Sequence, residues 1–392
     1  MRRLVIFLIL FAVLMALVIA RAGLPEPSVA VMAPAEDAAY NVLDLAPPAV
    51  TETAGSGMIA ELSSYFLSRE PTAKNAFTGA LRGKSLILLC ADEWAPDPAD
   101  HRKNPALCRL ARESAALGEV FRPDWYQGMD GRLFALLSGL MPTRVEDRTA
   151  LACTGEQNIY LPFSLPGSLR REGYVCRAFI RSAADADAMF SLGFDDTDVR
   201  DAEAEDILAA LEGEAPAFVF WELAGDGEAA LARIMDALYE EHRTDTALCL
   251  LTADPDSERA QLYFWGAGLS GAASDVPCSE LDVPPTLLNL FGVAYDARFL
   301  SGRDIFAEHV PGEADAATPL VTLAGSAFSS WVTDAGRYDA AETAFTPAGD
   351  GVSPGRDEGY VRAVSTLNYQ RYVFARRVME TNYFRLIFAG RE

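Results

Sequence analysis

Two acidic residues stand where chemistry is commonly done in an α/β protein. Asp92 follows the apolar run Ser85 to Cys90, and Asp254 follows Ala247 to Thr252. A carboxylate just past the carboxyl end of a strand opens onto the crevice where open α/β sheets hold ligands. The same positions suit a turn or a helix N-cap, and Asp254-Pro255 is a good turn starter. Imidazole is scarce: His101 lies in a polar loop, His242 ends a helical pattern, and His309 follows a Gly-Arg-Asp segment. A lone histidine of this kind is ordinarily a solvated surface group. The six cysteines could make up to three disulfides but form no CxxC or Cys/His cluster, which argues against structural zinc. Cys90 and Cys249 sit inside apolar runs and read as buried free thiols.

The elements that must position these residues alternate. Past Lys84, short β-rich runs are separated by helical patterns, the signature of a parallel sheet covered by helices. Strands are expected at Ser85 to Cys90, Tyr174 to Ile180, Ala217 to Trp221, Ala247 to Thr252 and Gln261 to Trp265. Helices are expected at Pro105 to Leu117, Arg132 to Leu140, Leu165 to Glu172, Ala202 to Leu211, Glu228 to His242 and Pro284 to Phe291. No internal repeat is present. From Pro311 to Arg362 the chain is rich in Ala, Gly, Asp and Thr, which predicts a small β-rich extension before an amphipathic final helix.

At the other end, Leu4 to Ala20 carries no polar side chain and is flanked by Arg2, Arg3 and Arg21. Seventeen apolar residues reach about 25 Å as a helix, the lower limit for a membrane span. A cleaved signal peptide is the alternative, since Ala20-Arg21-Ala22 has the small-residue spacing of a cleavage site. Either way the positive N-terminus stays in the cytoplasm and the remaining chain lies beyond the membrane. The expected organisation is an anchor or signal peptide at 1–22, a stem rich in Pro and Ala at 23–74, an α/β domain at 75–310 and a C-terminal extension at 311–392. Gly57 to Ser68 has near-helical apolar spacing within the stem. Of the 392 residues, 50% are hydrophobic and 23% charged, with 33 Lys and Arg against 56 Asp and Glu for a net charge of −23. That excludes wholesale disorder and a broad basic face for nucleic acid.

The order of local motifs resembles the extracellular domain of lipoteichoic acid synthases, within the sulfatase and alkaline phosphatase superfamily. KSLILLCADEW (Lys84 to Trp94) is similar to the family's first strand, which ends in a metal-binding acidic residue. NPALCRLARES (Asn104 to Ser114), PFSLPGSLRREGY (Pro162 to Tyr174) and SLGFDD (Ser191 to Asp196) resemble three further family segments. So do LDVPPTLLNLFGV (Leu281 to Val293) with LSGRDIF (Leu300 to Phe306), and NYQRYVFARRVMETNYF (Asn368 to Phe384). The resemblance implies a sulfatase-like, mostly parallel mixed sheet sandwiched by helices, with an N-terminal transmembrane helix and a small C-terminal α+β extension.

Members of that family transfer phosphoglycerol through a Thr hydroxyl bound to a divalent metal. Such chemistry needs hard ligands, an activated hydroxyl and groups for the phosphoryl oxygens. Asp92 keeps the first ligand in kind and Asp254 the second, but Pro255 replaces the His expected beside it. The nucleophile segment resembles GMDGRLFALLSGLMPT (Gly128 to Thr143), with Met129 and Asp130 where Thr and Ser should stand. WELAGDGE (Trp221 to Glu228) lacks the substrate-binding His, and RSAADADAMF (Arg181 to Phe190) lacks the expected Trp and Arg. Asp92, Asp130 and Asp254 without cationic counterparts would repel one another or recruit a cation, Mn or Mg if any. The expected protein is a single-pass, extracytoplasmic envelope component with a degenerate site, a binding or regulatory module. Its partners would be the membrane and an envelope glycopolymer, lipid or synthase. The alternative is a divergent metal-dependent phosphoglycerol transferase, phosphatase or sulfatase using Asp130 or another residue on envelope esters.

Overall fold

A computed structural model describes residues 39–43, 56–123, 128–240, 244–254, 257–269, 271–315, 318–323, 329–349 and 358–388. The apolar run Leu4 to Ala20 and His242 lie outside these residues. Among the described residues no helix is long and apolar enough to cross a membrane.

The centre is a six-stranded sheet of β1 (Ser85–Ala91), β2 (Val175–Ile180), β3 (Asp196–Val199), β4 (Ala217–Glu222), β5 (Thr246–Ala253) and β6 (Ala260–Trp265). Its order is β3-β2-β4-β1-β5-β6; the first five strands run parallel, and β6 pairs antiparallel to β5 with Leu250 opposite Tyr263. The period-2 rule sorts the side chains of β1. Leu86, Leu88 and Cys90 enter one apolar layer; Ile87, Leu89 and Ala91 enter the other. Both faces being covered, β1, β4 and β5 read as unbroken apolar runs.

The first layer is closed by α1 (Ser56–Ser68), α3 (Met129–Ser138), α4 (Ala150–Gln157), α5 (Leu165–Arg171), α6 (Ala186–Leu192) and α9 (Val283–Phe291). The second is closed by α2 (Pro105–Glu113), α7 (Ala204–Ala210) and α8 (Glu228–Glu240). The helix expected over Pro105 to Leu117 stops at Glu113. Ser114 turns to extended backbone, and Ala116–Leu117 pairs with Ala273–Ser274.

The C-terminal extension is an antiparallel sheet of β7 (Val321–Thr322), β8 (Trp331–Thr333), β9 (Gly336–Asp339) and β10 (Ala344–Pro347), followed by α10 (Glu358–Thr381) and α11 (Tyr383–Phe388). Trp331, fully buried, stacks on Tyr338 at 5.4 Å, and Asn368 of α10 accepts from Thr322 Oγ1 at 2.5 Å.

Within the stretch expected as a stem, the described residues pack on the domain. Asn41 N–H donates to the Thr72 carbonyl at 2.8 Å, and Lys74 N–H to that of Ala39 at 2.8 Å. Leu62 and Phe66 of α1 enter the main core. The near-helical apolar spacing read in this segment is the face that packs. All six cysteines are buried and unpaired.

Candidate functional site

The crevice beyond β1 and β5 is built around Asp92, the first residue past β1. Its carboxylate is held on both oxygens: Arg132 Nη1 donates to Oδ1, and Arg122 Nη2 donates to Oδ2 at 3.3 Å. Arg132 comes from the second turn of α3, a helix entered through Gly128 at φ +56°, a conformation that favours glycine. Arg122 also donates through Nη1 to the Asp254 carbonyl, so one guanidinium ties the ends of β1 and β5 together. On its far side, Arg132 Nε lies 3.9 Å from Glu280 Oε1.

Glu280 is 1% exposed, and neither of its oxygens has a hydrogen-bond partner among the described residues. Burial pushes its carboxyl up to about 7 against the pull of Arg132. Burial also holds the Asp92 carboxyl above its ordinary value, even though Arg132 pulls it down. Glu222, buried at the end of β4, accepts from the Arg181 backbone N–H at 2.9 Å, and burial raises its carboxyl, with Asp185 and Asp92 adding to the rise.

Asp130, in the first turn of α3, accepts from the Thr149 hydroxyl at 3.4 Å. Thr149 caps α4, its oxygen accepting from Ala152 N–H at 3.0 Å. Asp185 lies nearby; burial raises its carboxyl and the Asp130 charge adds to the rise. Met129, the first residue of α3, is half-buried against the main core. His101 is exposed, and His309 Nε2 lies 3.3 Å from Asp334 Oδ2 in the C-terminal extension.

No family model and no curated protein matches the sequence. Solved structures do. The crystal structure of the lipoteichoic acid synthase LtaP from Listeria monocytogenes superposes with a TM-score of 0.61 at 12% identity, over 82% of this chain and 98% of that one. A protein in the alkaline phosphatase superfamily from Vibrio parahaemolyticus superposes with a TM-score of 0.59 at 14% identity, over 86% and 98%. The chain has the sulfatase and alkaline phosphatase fold.

On this scaffold the described residues of the crevice do not fit a divalent metal. A hard cation needs several free oxygen ligands. Among the described residues no group of three or more His, Cys, Asp or Glu is placed to hold one. Asp92, Asp130 and Asp254 therefore do not assemble as the cation-sharing set expected from the sequence. The physical reason is local: Asp92 spends its oxygens on two guanidinium groups, Asp130 faces Thr149, and Asp254 meets Arg122 through its carbonyl. The expectation that these carboxylates lack cationic counterparts is likewise corrected for Asp92. Arg122, Arg132 and Glu280 were not legible as site residues, although Arg132 left one signal. It is a cation at the head of the apolar run Leu133 to Leu137, and a buried charge there requires a carboxylate partner.

Proposed function

We propose that this protein is a catalytically degenerate protein of sulfatase-like fold that acts as a binding or regulatory module of the cell envelope. In this reading Leu4 to Ala20 anchors it in the membrane, and the folded part faces the extracytoplasmic side toward an envelope glycopolymer, lipid or synthase. The observation that carries the reading is the capture of Asp92 by Arg132 and Arg122 beside a helix that begins with Met129. A guanidinium pair occupies the carboxylate that would otherwise bind a metal, and a thioether cannot become an alkoxide.

The test is metal titration with a turnover assay on purified full-length protein. At roughly 100 micromolar manganese the melting temperature should stay within about 1 °C, because a ligand that does not bind the native state cannot stabilise it. Phosphate, phosphoglycerol and sulfate esters should remain intact. Metal-dependent ester cleavage that disappears in Asp92→Ala would overturn the proposal.

A second reading, a divergent phosphotransferase or hydrolase, has one observation in its favour: the Asp130 carboxylate faces the Thr149 hydroxyl. An acid–hydroxyl pair is the minimum for nucleophilic catalysis. Turnover abolished by Thr149→Ala but retained in Thr149→Ser would favour it.

A further inference from the structure

Away from the crevice, a cavity of about 500 Å³ opens between α1 and α10. At its floor is Arg371, 7% exposed. Its Nη1 donates to the Leu320 carbonyl; among the described residues no carboxylate lies within 4.0 Å of the guanidinium. Among the described residues its remaining N–H groups make no hydrogen bond, and the residue lines the cavity. The anion that acts on it most strongly, Asp282, is buried and already accepts the backbone N–H groups of Ser279 and Arg303. Burial pulls the Arg371 guanidinium down to about 10, so it stays charged at neutral pH. Such a desolvated cation with unspent donors is costly unless something anionic meets it.

The surroundings fit one small group. Arg69, also lining the cavity, adds positive potential while donating to the carbonyls of Arg298 and Leu300. Gln370 and Ser64 offer further neutral donors, whereas the Ser68 hydroxyl already donates to the Tyr65 carbonyl, and Tyr65 stacked on Phe374 at 3.9 Å forms an aromatic wall. The acidic lining residues are Glu61, Glu70 and Asp315; Glu61 pairs with Arg377 at 2.6 Å and Asp315 lies by Thr318. Glu61 and Glu70 are exposed and Asp315 is half-buried, so the lining sets three carboxylates around Arg371 and Arg69 and repels a chain of negative groups far more than a single one.

We propose that the groove between α1 and α10 is a binding site for a small ligand presenting one oxyanion, a phosphate or a carboxylate, to Arg371. The site stands independently of the degenerate-crevice reading, because it shares no residue with that crevice.

The experiment is calorimetric titration of purified full-length protein in mild detergent with inorganic phosphate, acetate and polyphosphate. Saturable one-site binding of phosphate or of acetate is expected, and whichever binds more tightly identifies the group. Arg371→Gln should weaken it about tenfold or more, since a charge-assisted hydrogen bond is lost, while Arg371→Lys should retain part of it. Because Arg371 is buried, Arg371→Gln is accompanied by a circular dichroism melt. Ser64→Trp, which fills the exposed side of the groove without touching the floor, should also abolish binding. Lack of saturable binding by either small anion, unchanged affinity in Ser64→Trp, or tighter binding of polyphosphate than of both small anions would each overturn the proposal.

Discussion

Arg132 stands between two acids, donating to Asp92 and lying 3.9 Å from Glu280. Replacing it by Met keeps the volume but leaves buried Glu280 without its cation and Asp92 with Arg122 alone. Arg132→Met should cost about 3–5 kcal/mol, read as a lower urea midpoint, with Arg132→Lys intermediate. Glu280 gives a pH prediction. Its folded carboxyl titrates near 7, above the ordinary value of 4.5, so the native state binds the extra proton between those values. The stability this group supplies is full at the acidic end of that window and is lost as pH rises through about 7. Glu280→Gln should therefore be worth about 1–3 kcal/mol of stability at pH 8 and almost nothing at pH 4.5, flattening the melting profile between them. Asp92 was legible because it ends an apolar run. Its partners were not, because Arg132 meets it across 40 positions and nothing in spacing tells which cation folds back.

At the scale of elements, α1 belongs to the core. Phe66 is 3% exposed and lies 5.1 Å from Phe299 and 5.6 Å from Tyr383, ring to ring. Phe66→Ala alone should cost about 3–5 kcal/mol. A chain beginning at residue 75 should melt cooperatively only at a much lower temperature or remain insoluble, whereas one beginning at residue 39 should keep its cooperative melt. Equal melting temperatures for the two would show that α1 is dispensable. The doubly covered strands announced themselves as apolar runs, and β1, β2, β4, β5 and β6 fall within two residues of their expected bounds. The elements that escaped had no such pattern. β3 is Asp196-Thr197-Asp198-Val199, a largely exposed edge strand held by its ladder to β2. α4 is rich in Ala, Cys, Thr and Gly, and α6 opens with Ala-Asp-Ala, so neither shows a clear amphipathic stripe before its neighbours supply one.

For the whole molecule, a net charge of −23 is a standing self-repulsion that the native state must contain. Raising NaCl from about 10 mM to about 150 mM shortens the screening length from roughly 30 Å to roughly 8 Å. The exposed ion pairs weaken too, but each is worth little. The melting temperature should therefore rise by a few degrees over that range in a scanning fluorimetry series; a fall would mean that the surface pairs dominate. The six buried thiols impose a race against time. Folded, they are beyond the reach of oxidants, and burial pushes Cys90, Cys176, Cys249 and Cys278 further from the reactive thiolate. Unfolded in an oxidising compartment, the same six would pair at random and trap the chain. Refolding yield should thus be set by how fast the sheet closes over them, and a reductant present only during the first moments of refolding should rescue most of it.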